Sequence, residues 1–365
     1  MIRRVAIIGG GPGGLMTAYQ LQKRCPIPVE VTLYEATERL GGKVLTEQFG
    51  AAAVSYEAGA AELYDYSQVG QDPLRELVEA LGLNVKPMAG ASIVLHGQIL
   101  DDLEDVARVH GPTTRRALLE FDERAKAWMS PEEYYDADWR ELSADPKSSS
   151  TFEDELQLVL DATARQFLRT MIHSDLATEP HRTSASYGLQ NYLMNDDRYM
   201  RLYTIDGGIE QLVLALADRV EARVLLRQRV TDVDCLADGR VRVVSQRRSA
   251  DDDLLTLSDD FDYVVAALPN HYLPTLRWSD DALQQAMRRH YIQYDYPAHY
   301  LRVSVLFREV FWRDVLQDSY FMLDAFGGCC LYDESSRNGS EHYGALGWLL
   351  AGDAATAAAN LTDDA

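Results

Sequence analysis

Val5-Ala6-Ile7-Ile8 is an unbroken apolar run, the pattern of a strand buried on both faces as in a parallel sheet. It leads directly into Gly9-Gly10-Gly11-Pro12-Gly13-Gly14. Leu15, Ala18 and Leu21 then share one helical face, and Val29, Val31 and Leu33 alternate into a second strand that closes at Glu35. After residue 72 the pattern changes. Pro73 to Gly82 reads as a helix with a glycine stop. Ile93 to Leu100 reads as one strand. Leu103 to Met129 and Phe152 to His173 read as long amphipathic helices, broken around Pro112, Pro131 and residues 145–150. A helix with the apolar stripe Leu212, Leu216 and Val220 follows Asp206-Gly207-Gly208. Val224 to Val233 reads as a strand, Val241 to Val244 as its hairpin partner across Asp238-Gly239, and Asp262 to Pro269 as a buried strand ended by proline. Leu346 to Gly352 and Asp353 to Leu361 read as a strand and a helix.

The glycine unit carries chemistry. Gly9, Gly11 and Gly14 fit G-x-G-x-x-G between a strand and a helix, and Glu35 lies 21 residues after Gly14. Gly9 permits the tight turn, Gly11 lets the backbone approach a pyrophosphate, and Gly14 lets the helix pack close to the strand. The helix N-terminus favours the negative charge. Glu35 accepts from ribose hydroxyls, and an adenosine without a 2′-phosphate is favoured. This much serves NAD and FAD alike.

Glu35-Ala36-Thr37-Glu38-Arg39-Leu40-Gly41-Gly42-Lys43 fits E-x3-R-x-G-G-[RK]. Its two cations suit a diphosphate. At this stretch the sequence resembles the flavin-containing amine oxidase family of monoamine, polyamine and L-amino acid oxidases. The resemblance implies that Gly9, Gly11, Pro12, Gly13, Gly14, Glu35, Ala36, Arg39, Gly42 and Lys43 bind FAD. Tyr56-Glu57-Ala58-Gly59-Ala60 resembles the family's next element, which implies that Gly59 and Ala60 sit beside the flavin. Val230 is implied to place backbone against the adenine. The implied fold is α/β: a Rossmann-like FAD-binding domain over 1–71 and 204–279, and a discontinuous α+β substrate domain over 72–203, mostly helical, and 280–365. The implied reaction is oxidation of an amine C–N bond to an imine, with O2 as acceptor and H2O2 released. Carbon–carbon desaturases such as protoporphyrinogen oxidase share the N-terminal motifs and stay open as an alternative.

Arg302 to Arg313 resembles a family strand ending in Phe-Trp-Arg, and Arg302 stands where many members carry a lysine that holds a water against flavin N5. In L-amino acid oxidases the position of Glu62 carries an arginine that holds the substrate carboxylate. A carboxylate there counts against an α-amino acid and is compatible with a cationic amine. Arg302 and Glu62 are therefore the candidate catalytic positions. The family's last cofactor element, a Gly-Glu before a glycine-rich helix, does not appear. The chain thus reads as lacking the C-terminal part of its FAD domain, either as a truncated piece or as one chain of a split protein that a second chain or a homo-oligomer completes. Gly352-Asp353-Ala354 mimics a Gly-Asp flavin motif, but its position matches an earlier element.

With 365 residues the chain is sized for two domains. Asp plus Glu number 57 against 35 Lys plus Arg, a net charge of −22, which excludes a basic nucleic-acid footprint and argues against an anionic membrane surface. Cys25, Cys235, Cys329 and Cys330 are too scattered for a disulfide framework and read as core-filling thiols of a reducing, cytoplasmic protein. Neither a metal-ligand spacing nor an apolar run long enough to span a membrane is expected. Tyr291, Tyr294, Tyr296 and Tyr300 cluster in sequence near Arg302, and they read chiefly as a core and surface mixture.

Overall fold

The apolar run at the N-terminus forms strand β1 (Arg3–Ile8), the glycine stretch turns into helix α1 (Pro12–Arg24), and the chain returns as β2 (Val29–Tyr34). A computed structural model describes residues 2–90, 92–137, 145–249, 251–294, 298–335 and 343–361. The chain packs as two compact units. Unit 1 is Met1–Leu45 with Ile209–Pro297, and unit 2 is Thr46–Gly208 with Ala298–Ala365. Residues 46–71 therefore pack in unit 2, and 280–294 in unit 1.

Unit 1 holds a four-stranded parallel sheet in the order Ala222–Leu225, β2, β1, Tyr263–Ala266. Val5 to Ile8 and Val31 to Tyr34 are buried throughout, as an apolar run without alternation requires. An antiparallel sheet of Arg229–Cys235, Val241–Arg248 and Leu254–Phe261 carries Arg277–Trp278 in parallel on its edge. Ala6, Ile8 and Tyr34 of the parallel sheet pack with Val230, Val233, Val243 and Phe261 of the antiparallel one. Tyr34 meets Phe261 edge-to-face at 6.2 Å.

One expectation for unit 1 is corrected, and one strand lies where none was expected. The residues from Val224 to Val233 make two strands in different sheets, not one. Arg227 takes a left-handed backbone (φ 54) that no strand tolerates, and the amides of Arg227 and Gln228 donate to Thr37 and Glu35 carbonyls. Leu254–Phe261, with exposed leucines at 254, 255 and 257, gave no strand signal because its burial does not alternate.

Unit 2 is built on a six-stranded sheet ordered Tyr300–Phe307, Gly344–Ala351, Cys329–Asp333, Tyr320–Leu323, Ile93–Leu95, Gln98–Leu100. The last two strands correct the expectation of one strand over 93–100. His96 and Gly97 both have positive φ (52 and 74), so the chain reverses in a two-residue hairpin. Helices Pro112–Trp128, Ala162–Leu176 and Ala185–Leu193 supply much of the core, with Leu118, Phe121, Leu168, Ile172 and Leu193 buried together. The pattern from Phe152 breaks into Phe152–Gln157 and Ala162–Leu176, because Asp161 caps the second helix by accepting from the Ala164 amide at 2.8 Å. Leu158 and Leu160 in the break are exposed. The cysteines are free thiols: Cys329 and Cys330 fill core, Cys25 is half-buried, and Cys235 is exposed, against expectation. No helix among the described residues is long and apolar enough to cross a membrane.

Candidate functional site

In unit 1 the turn from β1 into α1 floors a cavity of about 570 Å³. Gly9, Gly11, Pro12, Gly13, Glu35, Ala36, Gly42, Lys43 and Val230 all line it. Gly14 does not, because it lies beneath: a Cβ there would land on the carbonyl oxygen of Gly9. A Cβ on Gly13 would meet nothing within 4 Å. Gly11 is the N-cap of α1 and brings no side chain to satisfy the first-turn amides. No acidic residue stands in that turn, so the helix end is left suited to an anion.

Glu35 directly follows β2, with its carboxylate buried. One oxygen accepts from the Gly10 amide and the other from the Thr37 amide, each at 2.8 Å. A carboxylate has about four acceptor positions, so these two bonds orient it and leave capacity for a hydroxyl. Arg39 is not a lining residue. Its guanidinium donates to the carbonyls of Leu40 at 3.1 Å and Gly42 at 2.6 Å, and so braces the double-glycine turn. That turn needs Gly42, at φ +56, whose backbone passes close to Gly11. Gly59 and Ala60 lie in unit 2, in the loop between Ser55–Glu57 and Leu63–Asp65.

Unit 2 has its own cavity of about 650 Å³. Its acidic lining is Glu62, Asp122, Asp175, Asp196, Asp197 and Asp318, against the cations Lys126 and Arg201. Lys126 bridges Asp122 at 2.6 Å and Asp196 at 2.8 Å. Burial works against the Asp196 charge, but hydrogen bonds from Arg198 and Lys126 outweigh it and hold the carboxyl well below the usual range. Asp175 is the reverse case. Burial, with the nearby Glu62 charge, lifts its carboxyl to about 7, although the Asn195 amide donates to it at 3.0 Å and pulls it the other way.

Arg302 lies behind one wall of this cavity. Its guanidinium stacks on the ring of Tyr332, a lining residue, at 4.5 Å and forms a buried ion pair with Glu334. Burial opposes the Arg302 charge and Glu334 outweighs it. The structure thus brings Glu62 to the cavity surface and sets Arg302 one ring behind it.

The sequence reading missed Asp175, which has no motif around it. The tyrosines clustered in sequence near Arg302 divide between the units. Tyr291 and Tyr294 lie on helix Asp281–Tyr294 of unit 1, Tyr300 lies in unit 2, and Tyr296 lies outside the described residues. Among the described residues no group of metal-binding side chains forms. Gly352 starts the helix Gly352–Ala359, where Asp353 pairs with Arg182 at 2.8 Å.

The family described as flavin containing amine oxidoreductase matches over residues 12–365. The chain is 24% identical over 342 residues to amine oxidase [flavin-containing] A of Canis lupus familiaris, a match covering 85% of this chain and 57% of that protein. It is 25% identical over 334 residues to the flavin-dependent L-tryptophan oxidase RebO of Lentzea aerocolonigenes, covering 85% and 67%. The chain therefore spans little more than half the length of the mammalian relative. Among solved structures, putrescine oxidase bound to putrescine superposes with a TM-score of 0.69 at 19% identity, covering 100% of this chain and 79% of that one. Cyclohexylamine oxidase from Brevibacterium oxydans IH-35A gives a TM-score of 0.70 at 20% identity, covering 99% and 78%. At these identities the structural likeness speaks for the fold.

Proposed function

Because the chain belongs to the flavin containing amine oxidoreductase family, we propose that it is an FAD-dependent oxidoreductase acting on a cationic amine that lacks an α-carboxylate. FAD is its cofactor, and bound in the unit 1 cradle it would supply the two-electron oxidation of an amine carbon–nitrogen bond to an imine, with O2 as the electron acceptor and H2O2 released.

The unit 1 cradle fits that cofactor's charged half. The uncapped first turn of α1 and Lys43 offer donors and positive charge to a diphosphate, and Glu35 offers its spare acceptor positions to ribose hydroxyls. Arg39 acts through the double-glycine turn it braces. In unit 2, the Glu62 and Asp175 carboxyls line the cavity that an ammonium would enter. A positively charged ligand would favour the ionised form of Asp175 that burial disfavours. Arg302 positions Tyr332 by stacking and is itself held by Glu334.

The observation that carries the reading is the acidic lining of the unit 2 cavity beside Glu62. The tryptophan oxidase relative is named for a carboxylated amine, and this lining repels a carboxylate. The test pairs phenethylamine with L-phenylalanine, which differ by one carboxylate. With FAD supplied, anaerobic bleaching and peroxide release in air should favour the amine by at least about tenfold in kcat/KM, which is about 1.4 kcal/mol of discrimination. A preference for the amino acid overturns the substrate reading, and a chain that takes up no flavin overturns the enzyme reading.

A further inference from the structure

Unit 2 contains a second cavity, of about 660 Å³, walled by Tyr64, Tyr66, Tyr134, Tyr135, Tyr187 and Tyr300. These rings arrive from separate parts of the chain: strand Leu63–Asp65 and the loop after it, helix Pro131–Asp136, helix Ala185–Leu193 and strand Tyr300–Phe307. Tyr66 lies 6.4 Å from Tyr64, 6.4 Å from Tyr134 and 6.3 Å from Tyr135, ring to ring. Two hydroxyls are committed to the protein: Tyr300 donates to the Ser174 carbonyl at 2.6 Å and Tyr135 donates to the Gln71 carbonyl at 2.5 Å. The Tyr64, Tyr134 and Tyr300 phenols are raised, so all three stay neutral, although Tyr64 is 40% and Tyr300 50% exposed. The one ionisable carboxylate in the lining is Asp175.

We infer that this tyrosine-walled cavity binds an alkylated ammonium ion, with the rings against its alkyl groups and Asp175 as counter-ion. The chemistry selects that class of ligand. Neutral aromatic rings attract a cation through their π faces, most strongly where water is excluded. A primary ammonium has three N–H donors to satisfy, and beside the committed hydroxyls of Tyr135 and Tyr300 the lining brings side-chain carbonyl or carboxylate oxygens from Asp175, Gln190 and Asn191 alone. An ammonium whose hydrogens are replaced by alkyl groups has no such need, sheds its water more readily and keeps the charge. A phosphate or carboxylate ligand is refused, since the lining offers no cationic side chain. Tyr64, Asp175 and Met194 also line the acidic cavity, so the two spaces share a wall within the unit.

The inference stands on this cavity and not on the redox reading, because binding is measured without turnover. Choline is titrated calorimetrically into the full chain above pH 7, beside 3,3-dimethylbutan-1-ol, which has the same shape without the charge. Choline should bind saturably and at least about tenfold tighter than the alcohol. Tyr187, half-exposed on its helix, allows a direct test. Tyr187→Leu should weaken choline by about 2–30-fold, while Tyr187→Phe, which keeps the ring, should hold it within about twofold. Tyr64→Leu against Tyr64→Phe repeats the comparison on a different element should the first variant fold poorly. Equal affinity for the alcohol, no saturable choline binding, or leucine variants that bind choline as the parent does would each overturn the proposal.

Discussion

Single atoms decide the cradle. A methyl on Gly14 would occupy the place of the Gly9 carbonyl oxygen, which is backbone and has nowhere to move. A methyl on Gly13 points into open space. Gly14→Ala should therefore abolish FAD retention and lower stability by about 1–3 kcal/mol, as overpacking does. Gly13→Ala should fold normally. Flavin remaining after desalting, together with the thermal midpoint, separates the two variants. Asp175 gives a pH signature. Its folded carboxyl is raised to about 7 by burial, against about 3.9 when unfolded. Between those values the folded state holds the proton more tightly, so this residue's contribution to stability falls as pH rises from about 4 to 7, by at most about 1.4 kcal/mol per unit. Asp175→Asn removes that slope. The variant's gain in denaturation midpoint over the parent should be larger at pH 8 than at pH 5, and an equal gain at both would show that burial does not hold the proton.

Elements end where a cap or a left-handed residue ends them. Helix Ala162–Leu176 carries Leu168, Ile172 and Asp175 on one piece of backbone, and its start is set by Asp161. The Asp161 carboxylate accepts from the Ala164 amide and from the Thr114 hydroxyl, so it ties the helix to its neighbour Pro112–Trp128. Asp161→Ala should cost about 1 kcal/mol from the cap, within a range of roughly 0.5–2. Asp161→Ser should recover part of that by capping alone. Urea midpoints of the three proteins test the order. Strand ends follow the same logic. Arg227 at φ 54 turns the chain out of the parallel sheet and into the antiparallel one, and this change of sheet brings Val230 to the cavity wall.

At the scale of the molecule, each unit holds its own candidate ligand chemistry. Unit 1 offers amides, Lys43 and one acid, while unit 2 offers carboxylates and tyrosines. The two functions should separate by mutation. Glu35→Ala should weaken FAD binding by about 5–100-fold, the loss of one to a few hydrogen bonds to a charged group, and leave amine binding to the flavin-free chain unchanged. Asp175→Asn should weaken amine binding by a similar factor and leave the flavin dissociation constant unchanged. Equilibrium titrations of both ligands against both variants read the four values. Coupled losses in both variants would show that the ligands share determinants.

The sequence alone determined the glycine unit, but not the His96-Gly97 hairpin, the turn at Arg227 or the helix break before Asp161. A continuous apolar run, a glycine fingerprint and an acid at fixed spacing sufficed to put Gly9, Gly11, Pro12, Gly13, Glu35, Gly42 and Lys43 around one cavity, because strand, turn and helix follow one another directly. The strand carrying Arg302 came from the family resemblance, which ran it to Arg313, and it ends at Phe307. Tertiary structure decided the rest. Arg39 looked like a phosphate ligand until the turn folded back on its guanidinium. Glu334 is 32 residues from Arg302 and holds it only through sheet pairing. Asp175 acquires its raised pKa from burial, which no local pattern encodes. The tyrosines that gather, from Tyr64 to Tyr300, are spread over most of the chain, whereas those clustered in sequence part onto different units. Proximity along the chain fixes backbone form over a few residues; proximity in space depends on which faces are buried together, and that is settled only when the sheets and helices pack.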